Sequence, residues 1–282
     1  MRKLPSRYYA MISATLIFLT GCGRESHSAE AVQDDSLYAD TSVILFGPSL
    51  TEIFYLSGAF WRVAAVDRYS TWPSQASELP VAGDFLSPSL ELITSLGATS
   101  IHVVGTNQSL LDIAERLGIP YYQYSFDSLD DVFESCSRVE HLYPEADLTA
   151  FSGEIEQTMD SLSLLFSADS PEVMIVVYLK GDGAITLAGK DTFYFDILNG
   201  CGCTLAAPET GSYPSVSVEG ILSIAPDRVI ILDPYEAGET LLRSWRSNGL
   251  DDSNVAILSG DHVLIPGARL RELIVGIAQC LN

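Results

Sequence analysis

Residues 145–168 read EADLTAFSGEIEQTMDSLSLLFSA, and their reading decides the fold. Leu148, Phe151, Ile155, Met159, Leu162 and Phe166 recur at steps of three and four, which puts them on one stripe of a helix. A helix of roughly 20 residues is about 30 Å long. The chain on either side has a different rhythm, with short apolar runs alternating with helical spacing. Before the long helix, strands are expected at 41–46, 62–66, 101–104 and 119–124, with helices at 50–56, 87–96 and 110–117. After Pro171, strands are expected at 173–178, 228–232 and 255–258, with helices at 193–199, 218–224 and 270–281. Strands interleaved with helices of about ten residues make a mainly parallel sheet covered on both faces. The sequence therefore predicts an α/β protein of two Rossmann-like lobes, 41–144 and 171–282, joined by a single long helix within 145–170.

The N-terminus adds an address. Arg2, Lys3 and Arg7 are followed by a mostly apolar run at 8–19 and then Leu19-Thr20-Gly21-Cys22. A basic head, a short apolar stretch and small residues make an export signal. Twelve residues cover only about 18 Å as a helix, too short for a hydrocarbon core of ~30 Å. The last four residues resemble the bacterial lipobox, which implies cleavage before Cys22 and a lipid on its thiol. Residues 23–40, rich in Ser, Ala, Glu and Asp, read as a flexible tether.

The remaining chain is large enough for a sizeable core. Lys and Arg number 15 against 37 Asp and Glu, a net charge of −22. Such a body repels nucleic acid and anionic lipid surfaces, leaving contact with a membrane to the lipid anchor alone. Cysteines Cys136, Cys201, Cys203 and Cys280 remain besides Cys22. An exported chain sits where disulfides persist, and Cys201-Gly202-Cys203 is too tight to close on itself comfortably, so a bridge from one of these two to Cys280 is expected. A zinc site at the same pair is the alternative, and it lacks a second ligand pair. The four histidines are scattered, and no resident metal or cofactor is expected. There is no Gly-x-Ser-x-Gly elbow, P-loop, His-Glu-x-x-His or Gly-x-Gly-x-x-Gly, and the chain reads as a non-enzyme.

An internal echo supports two lobes. Ser87-Pro88-Ser89-Leu90-Glu91-Leu92-Ile93 and Ser215-Val216-Ser217-Val218-Glu219-Gly220-Ile221 carry Ser, Ser, Glu and Ile at the same offsets. Serine suits a helix N-cap, and glutamate in the first turn complements the helix dipole. The echo reads either as two good helix starts or as one carboxylate on top of each lobe.

At this point the chain resembles a known family: the substrate-binding proteins of ABC importers for iron chelates and cobalamin, the class III, helical-backbone periplasmic binding proteins. The resemblance runs from about Ser42 to the C-terminus. It is carried by Phe46-Gly47-Pro48-Ser49-Leu50-Thr51-Glu52, Val66-Asp67-Arg68-Tyr69-Ser70-Thr71-Trp72-Pro73, Leu90-Glu91-Leu92-Ile93, Val218-Glu219-Gly220-Ile221, Ala225-Pro226-Asp227-Arg228 and Ile265-Pro266-Gly267-Ala268-Arg269. The second stretch is closest to the cobalamin-binding members. Ala268 departs from the usual Pro-Gly-Pro-Arg turn. The resemblance implies a monomeric, lipid-anchored receptor on the periplasmic or extracytoplasmic face of the cell envelope, working with an ABC permease and its ATPase. It implies that Glu91 and Glu219 dock on permease arginines, and that Cys201 pairs with Cys280, with Cys203 as the other possible partner.

The ligand is expected between the lobes, at loops following strand ends. Pro48, Ser49, Tyr69, Trp72 and Phe85 are the candidates on the first lobe. On the second they are Tyr178, Tyr213 and Tyr235, with Lys180, Tyr194, His262 and Arg269 nearby. Aromatic faces with a polar edge suit a bulky chelate. Cations among the cleft candidates are few, only Arg68, Lys180, Lys190 and Arg269, which leans the expectation toward a cobalt corrinoid. Haem, with Tyr69 or His262 as axial ligand, and a ferric siderophore are the alternatives.

Overall fold

The computed structural model describes residues 42–166, 170–179, 185–209 and 211–281. Cys22, the signal segment and the tether lie outside them. Four short strands open the chain: β1 (Val43–Phe46), β2 (Val63–Val66), β3 (Ser100–Val104) and β4 (Tyr121–Tyr124). They form one parallel sheet in the order β2-β1-β3-β4. Helices α1 (Pro48–Leu56), α2 (Leu90–Ser95) and α3 (Gln108–Leu117) make its crossovers. The long helix α5 (Thr149–Phe166) is preceded by α4 (Leu129–Leu142).

A second sheet follows, built from β5 (Glu172–Leu179), β6 (Ile185–Leu187), β7 (Thr204–Leu205), β8 (Ser215–Val216), β9 (Arg228–Asp233) and β10 (Val255–Ser259). Its order is β10-β9-β5-β6-β8, with β7 also paired to β5. β10, β9, β5 and β7 run parallel, and β6 is antiparallel to both neighbours. Helices α6 (Phe193–Gly200), α7 (Val218–Ile224), α8 (Glu239–Ser247) and α9 (Leu270–Leu281) complete this lobe.

The two sheets share one central core, and each also has its own outer core. In β1, Val43 and Leu45 face the shared core while Ile44 and Phe46 face the outer one. In β5, Val173 and Ile175 face inward and Met174 and Val176 outward. β9 divides the same way, Ile230 and Leu232 against Val229 and Ile231. This is the two-residue period of a strand buried on both faces. Helix α5 lies in the shared core through Phe151, Ile155, Met159 and Phe166 and packs on both α6 and α9. Each such side chain contributes about 1.5–3 kcal/mol on full burial. The described residues all fall in one compact unit, and the core cluster that α5 enters draws side chains from both lobes.

The helix is shorter than the expected 145–170, and its start has a physical cause. Glu145 is drawn away by an ion pair with Arg62. The Asp147 carboxylate accepts hydrogen bonds from the Thr149 N–H (3.2 Å) and hydroxyl (2.7 Å), which closes the first turn. A second difference concerns the thiols. Cys201 and Cys280 are free, as are Cys136 and Cys203, so neither expected bridge is formed. Cys201 and Cys203 are buried and Cys280 half-buried, all in the shared core. With α5 packed on both α6 and α9, the thiols serve as apolar core filling. Burial pushes the Cys201 thiol up to about 12 and Cys203 to about 11.

Candidate functional site

All four strands of the first sheet are parallel, so the loops after β1, β2, β3 and β4 leave one edge. That edge is where α/β sheets gather ligands. The loop after β2 is tied down from below. Thr51 Oγ1 donates to Ser70 Oγ (2.8 Å), and Ser70 Oγ donates to the Asp67 carboxylate. Burial pushes the Asp67 carboxyl up, against hydrogen bonds from Ser70 and backbone N–H groups. On this anchored loop Tyr69 stands 62% exposed and Trp72 half-buried. Pro48 opens α1, half-buried, and Ser49 is buried beside it. Phe85 stands exposed on the next loop, where its carbonyl accepts from Asn107 Nδ2. Val104, Gly105, Thr106 and residues 123–127 line a cavity of about 430 Å³ at the ends of β3 and β4, within the size range of small-molecule sites.

One aromatic group of the second lobe, Tyr213, comes near this edge. Tyr178 is exposed at the end of β5; residues 180–184, Lys180 among them, lie outside the described residues. Tyr213 is partly exposed, and its hydroxyl is pushed up by burial and by the negative charge of Asp127 on the opposite lobe. Tyr194 is buried and donates to the Val263 carbonyl (2.5 Å). Tyr235 is 88% exposed on a loop gathered around Asp233, whose carboxylate accepts from the N–H groups of Tyr235, Ala237 and Gly238 and from the Ser259 hydroxyl. Burial opposes the Asp233 charge, and these donors outweigh it and hold the carboxyl below its ordinary value. His262 is half-buried, and burial first, then Arg269, holds its imidazole below the ordinary value.

One cluster joins the lobes directly. Arg269, just ahead of α9, donates from Nε (3.1 Å) and Nη2 (2.6 Å) to Glu52 on α1 and from Nη1 (2.5 Å) to Asp261. Its guanidinium lies 4.8 Å from the centre of the Trp72 ring. Gly267 makes the approach possible: a Cβ there would lie 2.6 Å from Glu52 Oε2 and 2.8 Å from its Cβ. Burial pushes the Glu52 carboxyl up, with the hydrogen bonds and charge of Arg269 pulling the other way. A second crossing joins the Leu129 N–H to the Asp196 carboxylate (2.9 Å).

The structure thus brings Trp72 to Arg269, and Tyr213 to Tyr194 and Asp127. Phe85 and Tyr235 stand exposed on separate loops, and Tyr178 stands exposed near the end of β5. Lys190 departs from its expected place. It pairs with Glu209 (2.7 Å) and shares a cavity with Glu172, the residue that begins β5, at the edge opposite Tyr178. Asp127 and Glu52 are the residues the sequence reading missed. Glu52 carried a signal, since it closes the first motif and Arg269 closes the last. Asp127 carried none, because only the folded chain sets it opposite Tyr213.

The repeated Ser-Glu segments become equivalent helix starts. Ser89 accepts from the Leu92 N–H (3.3 Å) at α2, and Ser217 from the Gly220 N–H (3.2 Å) at α7. Ile93 and Ile221 pack into the outer cores of their respective sheets. Each helix runs back to the start of the next strand, β3 or β9, so its N-terminal end points toward the loop edge. Glu91 and Glu219 are both exposed there. The backbone N–H of Glu219 and the Ser217 hydroxyl hold the Glu219 carboxyl below its ordinary value.

Beneath the 430 Å³ cavity lies a buried histidine. His102 is fully enclosed, with Nδ1 paired to the Tyr124 hydroxyl (2.8 Å) and Nε2 to the Tyr143 (2.8 Å) and Ser100 (3.1 Å) hydroxyls. Burial, then the charge of Arg138, lowers its pKa to about 3, so it is a neutral hub and not a ligand. Among the described residues no group of three or more His, Cys, Asp and Glu is placed to hold a metal ion, and no helix is long and apolar enough to cross a membrane.

Comparison with known proteins agrees with this geometry. The family model for the periplasmic binding protein matches residues 43–252. The chain belongs to this family. Among curated relatives, the vitamin B12-binding protein of Vibrio parahaemolyticus is 22% identical over 84% of this chain and 88% of its own length. An uncharacterized ABC transporter substrate-binding lipoprotein of Bacillus subtilis, YvrC, is 22% identical over all of this chain and 98% of its own. Among solved structures, the periplasmic heme-binding protein RhuT from Roseiflexus sp. RS-1 in apo form superposes with a TM-score of 0.70 at 18% identity, over 86% of this chain and 98% of that one. At that identity the likeness speaks for the fold alone. The family's two-sheet architecture is the one observed here.

Proposed function

We propose that this periplasmic binding protein captures a metal chelate between its two sheets and hands it to an ABC permease and its ATPase. The observation that carries the reading is the approach of Tyr213 on the second lobe to Asp127, which lines the cavity at the ends of β3 and β4 on the first. Flat aromatic faces with hydroxyl edges suit a large ring that is part apolar and part polar. A cobalt corrinoid is the preferred cargo. Arg68 faces Asp84 at 3.8 Å and Arg269 is held by Glu52 and Asp261, so these two cations are already engaged by acids and an anionic chelate finds little attraction in them. The name of the V. parahaemolyticus relative supports the same choice. Haem is the second reading. It is favoured by the exposed Tyr69 phenol and the neutral His262 imidazole, either of which can serve as an axial ligand.

In this reading Cys22 carries the lipid that holds the receptor at the cell envelope, as the lipoprotein name of the B. subtilis relative supports. Two or more acyl chains give stable anchoring where one is marginal. Glu91 and Glu219 steer the encounter with the permease and fix its angle, one acid per lobe. The receptor acts by binding and release and carries out no chemistry on its cargo. Visible absorption of the purified protein after incubation with cyanocobalamin, haemin and ferric siderophores tests the reading. Retention of the corrinoid spectrum through gel filtration is the expected result. Retention of haemin alone gives the second reading, and retention of none refutes both.

A further inference from the structure

Trp72 is held from both lobes. On its own lobe the Tyr55 ring meets the indole edge-on, with centroids 5.3 Å apart at 80°. From the other lobe the Arg269 guanidinium lies over it at 4.8 Å. That guanidinium has no freedom to wander. Glu52, with no exposed surface, takes Nε and Nη2, and Asp261 takes Nη1. The Arg269 N–H also donates to Glu52 (3.3 Å). A planar guanidinium with its donors committed to two carboxylates is fixed in position and orientation, and it fixes whatever lies against its face.

We propose that Arg269 is a positioning residue of the ligand cleft: clamped across the lobe boundary by Glu52, it sets the Trp72 indole, and with it the loop that presents Tyr69, in the orientation the cargo meets. The clamp spans 217 residues of chain, so it exists only when both lobes are in register. It also commits Arg269 to this task, which removes it as a receptor for cargo carboxylates. The part of the inference that concerns cargo affinity rests on the proposed function. The part that concerns Trp72 does not.

The test is fluorine NMR of protein grown with 5-fluorotryptophan. The chain has three tryptophans, and Trp72→Phe assigns the Trp72 resonance. In Arg269→Met the Trp72 signal should move, while those of exposed Trp61 and buried Trp245 stay in place and report an intact fold. Arg269→Lys, which keeps the charge but not the fork, should restore the shift only in part. Glu52→Gln should move it in the same direction by less, and it decides the matter if Arg269→Met does not fold. The same variants are titrated with cyanocobalamin and haemin. Arg269→Met should weaken the chelate that the wild type binds by at least about tenfold. A Trp72 resonance unmoved while Trp245 holds its place, or an unchanged affinity, overturns the proposal. If the wild type binds neither chelate, the proposed cargo fails, and the fluorine spectra still decide the clamp.

Discussion

His102 gives a prediction that can be worked through to a number. Its ring is fully buried, both nitrogens are paired with hydroxyl groups, and its pKa falls from 6.5 to about 3. In the unfolded chain the same imidazole titrates near its ordinary value. Between pH 6.5 and pH 3 the unfolded state therefore holds a proton that the native state lacks. Stability is fully present above pH 6.5 and is lost as pH falls, by about 1.4 kcal/mol per pH unit. By pH 4.5 the loss from this one group is about 3 kcal/mol. Glu52 and Asp67 work in the opposite sense, since their raised carboxyls bind protons in the native state first. They are the same in wild type and variant, so the comparison cancels them.

The variant is His102→Gln, which cannot titrate. At pH 7 it should be less stable by about 1–3 kcal/mol, the cost of leaving a buried hydroxyl partner imperfectly paired. Urea unfolding at half-unit steps from pH 7.5 to 4.5 gives both curves. The wild type should lose stability faster than the variant below pH 6.5, and the two curves should converge toward pH 4.5. Parallel curves would show that His102 does not stay neutral in the native state, and would refute the account of the hub under the cavity.

Three further outcomes are expected. Reversing both docking acids, Glu91→Lys with Glu219→Lys, should weaken binding to the permease in reconstituted vesicles while chelate titrations stay the same; undiminished transport would remove these residues from docking. Tyr69→Ala and Tyr213→Ala should each weaken chelate binding by at least about tenfold, or ~1.4 kcal/mol, and unchanged titration curves for both would take them out of the cleft. Without reductant, a thiol reagent added in denaturant should count Cys136, Cys201, Cys203 and Cys280 as free. In the native protein half-buried Cys280 should react first, and a missing pair in denaturant would restore the bridge.

The sequence carried the fold through its periodicities. The ends of α7 and α9 fall where the apolar spacing and flanking residues put them, and the stripe from Phe151 to Phe166 is the face that α5 buries. Helix α4 was equally legible and lies in a stretch left unassigned. Ser128 and Asp131 form a capping box ahead of Leu129, Val132, Cys136 and Val139. Helix α8 was harder to see, because its residues are mostly polar and only Trp245 is buried. Strands β7 and β8 are two residues long, too short for any alternation. At the site, the loop bearing Tyr69 could be placed after the strand at 62–66, whereas Tyr213 was singled out by the resemblance to the cobalamin-binding members. The pairing of Glu52 with Arg269 could not be placed, since it depends on how two lobes meet and on Gly267 leaving room. The supposed Cys201–Cys280 bridge shows the same gap. Compartment and spacing allow a bond, but packing of α5 on α6 and α9 decides where the sulfurs lie.

The central claim is that cargo is held between the sheets, touched from both. Hydrogen exchange with and without the chelate that binds tests it most directly. Protection should rise together in the loops around Tyr69 and Asp127 on one lobe and around Tyr213 on the other, with the outer helices unchanged. Protection confined to one lobe, or to none, would contradict the account.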